Sequence, residues 1–280
     1  MNTPTVSPAQ GTTPSTTATI GVFRSHLSAR QLLKLLWCEA VLDVKSLLRS
    51  PGFMAPTLLF PAVFYLLFGV FLAKADAPLY MLVSYGCFGV MGPALFNFGV
   101  QVATDRESGF LTMRQLSPAP VAAYLVGKLS SSLLMGLLVA LLLFVLAALF
   151  GGVRMYTSQW LGLGLWLMLG SVPFCLLGLV LGLTLSAKAA PATVNLVYLP
   201  LALLGGLWLP MHLMPELMQQ FALMLPSYHF AQVGYQLVGV SISGASAQPL
   251  WVHLAALGGF ALLMVWAARA AYYQRQNVRR

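Results

Sequence analysis

Gln101–Lys128 reads QVATDRESGFLTMRQLSPAPVAAYLVGK and separates two long apolar segments. Asp105, Arg106, Glu107, Arg114 and Lys128 all fall within it, in a chain of which only 8% is charged. Ser108-Gly109 interrupts helix propensity, and glycine permits a sharp change of direction. Beyond it, Phe110, Met113 and Leu116 recur three apart, which puts them on roughly one face of two helical turns. Ser117-Pro118-Ala119-Pro120 closes the segment, because proline cannot continue a helix and restrains the residue before it. The pattern predicts a short amphipathic helix held between a glycine break and a proline break, a rigid knob between two spans. The same composition also fits an ordinary loop at a membrane surface.

The chain on either side is too apolar for a soluble domain. Hydrophobic residues make up 59% of it and the mean hydropathy is +0.83, whereas soluble domains carry about 25% charged residues. Six apolar runs, at 53–73, 79–100, 121–150, 160–186, 190–211 and 249–268, are each near or above the roughly 20 residues that cross a hydrocarbon core. The expected fold is therefore an all-α integral membrane protein of six transmembrane helices. With the N-terminus in the cytoplasm, all but Lys74 and Arg154 of the fifteen Lys and Arg lie on the cytoplasmic side. That asymmetry predicts two cytoplasmic termini and a plasma-membrane location. The net charge of +9 sits at the ends of apolar runs, where it suits anionic lipid headgroups rather than nucleic acid.

Residues 1–27 read as a disordered tail rich in Thr, Ser and Pro, without the pattern of a signal peptide. Residues 28–270 read as one transmembrane domain and 271–280 as a basic cytoplasmic tail. Within Ser28–Ser50, Leu33, Leu36, Trp37, Ala40, Val41, Val44, Leu47 and Leu48 make one helical face, with Lys34, Lys45 and Arg49 opposite. This predicts an amphipathic interfacial helix in the headgroup plane, a face equally suited to a soluble partner. Between the last two spans, Pro210–Pro249 lacks Lys and Arg but is apolar, with Pro210, Pro215, Glu216 and Pro226 as its landmarks. A short helix over 217–225 is expected there, in an exterior re-entrant segment whose backbone must be satisfied by protein or a wet cavity.

Catalytic chemistry is not visible. Glu39, Asp43, Asp76, Asp105, Glu107 and Glu216 fall at or outside span ends, so no buried proton or sodium relay emerges. Gly127-Lys128 lacks the first glycine and the Ser/Thr of a phosphate loop. Cys38, Cys87 and Cys175 have neither disulfide nor metal spacing. His26, His212, His229 and His253 read as isolated interfacial residues, and no metal site is expected. Polar residues inside spans, notably Asn97, Ser171, Asn195 and Tyr198, suit helix–helix hydrogen bonds.

The order of these features resembles an ABC-2 type transporter permease. Asp105-Arg106-Glu107-Ser108-Gly109, then Leu116-Ser117-Pro118, Tyr124 and Lys128, is similar to that family's first cytoplasmic connection. Gly206-Leu207-Trp208-Leu209-Pro210, Leu213-Met214-Pro215 and Leu225-Pro226-Ser227-Tyr228 are similar to its segment before the last span. The resemblance spans roughly residues 30–270 and is closest to exporters of drugs, lipids and oligosaccharides. It implies a permease, often a homodimer, paired with separate ABC ATP-binding subunits that hold ATP and Mg, this chain binding no cofactor itself. In that scheme Phe110, Met113 and Leu116 supply apolar contact with the ATPase, and Asp105, Arg106, Glu107 and Arg114 orient it. Gly109 lets the coupling helix bend away, and Pro210, Pro215, Glu216 and Pro226 frame an exterior gate. Asn97, Asn195 and Tyr198 face the pathway. A self-contained channel or scaffold is the alternative, and it needs no ATPase.

Overall fold

Apolar helices packed side by side form the molecule, and no strand is present among the described residues. The computed structural model describes residues 28–72, 77–115, 121–240 and 248–278. The expected tail 1–27, Lys74, Leu116 with the proline break after it, and residues 241–247 lie outside the described residues, as do the side chains of Arg114 and His212.

Helix α1 (Ala29–Leu48) begins at a capping box, in which Ser28 and Gln31 satisfy each other's backbone N–H groups. Pro51, pre-set for a first helical turn, starts α2 (Pro51–Phe71), which loosens into a π-helix from Tyr65. Helix α3 (Ala77–Glu107) runs for 31 residues, about 46 Å against a hydrocarbon core of about 30 Å. It therefore continues past residue 100, where the sequence pattern ended it, and carries the charged Asp105-Arg106-Glu107 on the projecting end. A π-turn at Asn97–Gln101 interrupts its regular winding. After Gly109 comes α4 (Phe110–Gln115), then α5 (Val121–Leu149).

Ser171 and Pro173 break the next span into α6 (Thr157–Gly170) and α7 (Val172–Thr184). Helix α8 (Ala190–Leu204) follows, then α9 (Glu216–Ala222), α10 (Pro226–Val238) and α11 (Leu250–Val278). Among the described residues, five helical stretches are long and apolar enough to cross a membrane: 51–71, 77–107, 122–149, 157–184 and 250–274. The fifth expected span is helical for only 15 residues, because the chain turns at Gly205 and Gly206. The last helix runs on into the segment read as a tail.

Helix α3 is the axle of the bundle. Its apolar window is 83% buried, against 11% for α11. Tyr85, Phe88, Met91 and Leu95 on α3 share the core with Leu143 on α5, Leu163 and Leu167 on α6, Phe174 on α7 and Phe230 on α10. The small surface left to α11 packs on α7 and α10.

Candidate functional site

A buried polar cluster joins α1, α3 and α5 at the end of the bundle where Lys and Arg collect. Lys128, the eighth residue of α5, is 5% exposed. Its Nζ lies 2.8 Å from Oδ1 of Asp43 on α1 and 3.3 Å from Oδ2 of Asp105 on α3. Tyr124 donates its hydroxyl to Asp105 Oδ2 at 2.7 Å and brings its ring within 5.5 Å of the ammonium. Asn97, in the π-turn of α3, holds its amide nitrogen 3.1 Å from the Lys128 carbonyl oxygen and 2.6 and 2.9 Å from the hydroxyls of Ser131 and Ser132, so that its two hydrogens are shared among three acceptors. Ser131 in turn donates to Asp43 Oδ2. Two carboxylates sharing one ammonium, each with a further hydroxyl donor, is the satisfied arrangement that a buried charge needs.

Backbone shape makes the cluster possible. A Cβ at Gly127 would lie 3.1 Å from the Glu39 carbonyl oxygen, so a hydrogen at that position lets α1 lie directly on α5. The apolar face expected of α1 is divided accordingly. Leu36, Ala40, Val44 and Leu47 turn toward the bundle, while Leu33 and Trp37 stay outside, 67% and 72% exposed.

Gly109 adopts φ 79, the left-handed region that glycine favours, and nothing lies within 4 Å of a Cβ built there. The chain thereby turns off α3 into α4. Phe110 is 41% and Met113 72% exposed, and the Phe110 ring packs 6.4 Å from that of Tyr124. A line of contacts therefore runs from α4 through Tyr124 to Asp105 and Lys128. Glu107 is half exposed, whereas Arg106 points inward with a side chain only 10% exposed. Its guanidinium donates to the carbonyls of Leu183 and Leu185. These are C-terminal carbonyls of α7 that the helix itself leaves unpaired.

Of the three residues expected to face a pathway, the structure brings two together. Asn195 and Tyr198 line a cleft of about 310 Å³ between α2, α3 and α8, along with Pro56, Phe60, Phe88 and Phe96. Tyr198 stacks on Phe88 at 4.9 Å, meets Phe96 edge-on at 6.0 Å, and donates to the Phe88 carbonyl at 3.0 Å. Asn195 is exposed on this otherwise apolar helix. Asn97 lies instead in the Lys128 cluster.

At the opposite end, Pro210 precedes a 3₁₀ turn at Met211–Leu213, Pro215 precedes α9 with Glu216 as its first residue, and Pro226 opens α10. Sequence reasoning missed α10, reading Pro210–Pro249 as an exterior connection with a helix over 217–225 alone; Ser227, His229 and Gln232 lie on α10. All three are buried. Trp166 on α6 donates to the Phe230 carbonyl at 2.9 Å, and Tyr235 hydrogen-bonds Ser84 on α3. The histidines read as isolated are not all so, since His229 and His253 are in direct contact. Among the described residues, no three His, Cys, Asp or Glu gather as metal ligands.

Several long apolar helices around one buried axle define a multi-pass membrane protein. The chain belongs to the ABC-2 family of transporter proteins, whose pattern matches residues 73–270. It is 27% identical over 251 residues to YvfS of Bacillus subtilis (strain 168), a protein provisionally named as a transport permease. That similarity covers 88% of this chain and 99% of YvfS. A transport permease is thus the class to which the family and this relative point.

Proposed function

We propose that this chain is the membrane-spanning subunit of an ATP-driven exporter, coupled to separate ATP-binding subunits and working as a pair of permease copies. Both termini face the cytoplasm, and α8 with the chain up to Pro210 completes a sixth crossing. The observation that carries the reading is α4, a turned-off helix exposing Phe110 and Met113 and joined by Tyr124 to the buried Lys128 cluster. A push on α4 reaches Asp105, and through Lys128 it moves α1 and α5 together. Arg106 carries the same push to the end of α7, which leads by a short link into α8.

The cleft supports a hydrophobic or amphipathic substrate such as a drug, a lipid or a lipid-linked saccharide. Its walls are largely aromatic and apolar, Thr57, Asn195 and Tyr198 supply its polar groups, and none of its lining residues is charged. Asn195 exposed at membrane depth suits a face turned toward a second copy or a wet pathway rather than lipid.

The test is Phe110→Ala, assayed by co-purification of the ATP-binding subunit and by substrate-stimulated ATP hydrolysis. Truncating a central interface anchor costs about 2 kcal/mol or more, so both should fall while membrane insertion is unchanged. Undiminished stimulation in the variant, or substrate flux through the reconstituted chain alone, would sink the reading in favour of a self-contained channel.

A further inference from the structure

Two imidazoles meet at the end of the bundle remote from Lys128. His229 on α10 and His253 in the first turn of α11 hold their Nδ1 atoms 2.9 Å apart, and both residues are buried. Nε2 of His229 lies 3.0 Å from the carbonyl oxygen of Leu223, the residue that closes α9. A carbonyl only accepts, so the hydrogen of neutral His229 sits on Nε2 and its Nδ1 is bare. The short contact then requires His253 to carry its hydrogen on Nδ1 and donate it. One lone pair remains, on His253 Nε2, which is buried without a hydrogen-bond partner. Two neutral rings in complementary tautomers thus stitch α9, α10 and α11 together.

Among the described residues, the surroundings offer no counter-charge. Tyr228 lies edge-on to both rings, and the Gln248 backbone, beside His253, is the neutral neighbour that favours a charged ring there. Of the helices packed on this corner, α7 contributes Cys175, and α6 has no titratable side chain. Helix α3 contributes Tyr80, Tyr85 and Cys87, α8 contributes Tyr198, and α10 itself Tyr235; the charged residues of α3 stand at its other end. Glu216 begins α9, a full helix length from Leu223. Arg269 lies 16 residues along α11 from His253, about 24 Å away by helical rise. Among the described residues no carboxylate pairs with either ring. Burial holds the His229 imidazole below its usual pKa, with the bond to Leu223 opposing.

We propose that His229 and His253 form a proton-operated latch, which holds the α9–α10 segment against α11 while both rings are neutral and releases it in acid. The first added proton enters at His253 Nε2 and creates an imidazolium that no carboxylate among the described residues meets. A second turns both Nδ1 atoms into donors, and the bond between the helices is lost. The sign follows: the latch is whole above the ordinary imidazole range and fails as pH falls through and below it. This inference stands apart from ATP coupling and from the direction of transport.

The test uses the full-length protein in mild detergent, with its four histidines labelled with ¹⁵N. At about pH 8, one imidazole should show the Nδ1–H tautomer and should lose it on acidification. Amide-exchange protection over residues 222–232, corrected for intrinsic rate, should drop about tenfold between about pH 7.5 and about pH 5.5. The double variant His229→Gln, His253→Phe keeps a donor for the Leu223 carbonyl and removes both imidazoles. Its protection should change less than about twofold over that range, whereas His212→Phe should retain the wild-type drop. Absence of an Nδ1–H tautomer in the wild type, or flat wild-type protection, overturns the proposal even if the double variant does not fold.

Discussion

Lys128 stands inside an apolar helix, and a charge there is costly unless it is paired. Its partners are 2.8 and 3.3 Å away, so the residue should be judged by what its loss leaves behind. Lys128→Met would strand Asp43 and Asp105 beside each other with their ammonium gone. Breaking a buried pair in this way costs about 3–5 kcal/mol, so we expect a much lower melting temperature for Lys128→Met in detergent. The further variant Asp43→Asn should recover part of that loss. A melting temperature within error of wild type for Lys128→Met would show that the cluster contributes no stability. Part of this was readable beforehand. A lone lysine in an apolar run signals a partner, and Gly109 and Phe110 announce a local break and an apolar anchor. The identity of the partner was not readable, because Asp43 lies on another helix among Lys and Arg, and nothing local distinguishes it from a solvated charge.

Element by element, legibility followed how local the cause was. The start of α1 and the break after Glu107 arise from local capping and glycine, and both were expected; the kink at Ser171-Val172-Pro173 is also local, but the sequence pattern ran the span unbroken over 160–186. The length of α3 and the existence of α10 arise from packing. Residues 101–107 look polar enough to end a span, yet Arg106 reaches the carbonyls of α7 and Asp105 reaches Lys128, which keeps the helix going. Helix α1 is the informative case, because its sequence pattern is equally that of a float on lipid and of a packed helix. Gly127 decides for packing on its inner face. Gly127→Val would drive a side chain into the Glu39 backbone, whose carbonyl oxygen, 3.1 Å from the new Cβ, cannot swing aside. Overpacking of that kind costs about 1–3 kcal/mol. We expect increased protease cleavage and amide exchange in α1, with α6–α11 unaffected; unchanged protection of α1 would mean that it is held by lipid instead.

For the whole molecule, the distribution of Lys and Arg predicts that a cysteine introduced at Ser243 reacts with an impermeant thiol reagent outside intact cells, and one at Asn277 does not. The reverse pattern would invert the proposed topology. The cleft beside the exposed Asn195 predicts that a cysteine at this position on α8 forms a disulfide between two copies under mild oxidation. A strictly monomeric product would count against pairing through this face. Finally, the Lys128 cluster has a consequence for the making of the protein. Asp43 leaves the ribosome well ahead of its partners, Ser131 following it by 88 positions. Helix α1 must therefore wait, half attached, until the third span has been delivered into the bilayer. Nascent chains stopped after α3 should leave α1 open to protease, and chains stopped after α5 should protect it. In the cell, the first helix to be synthesised is then among the later ones to be fastened.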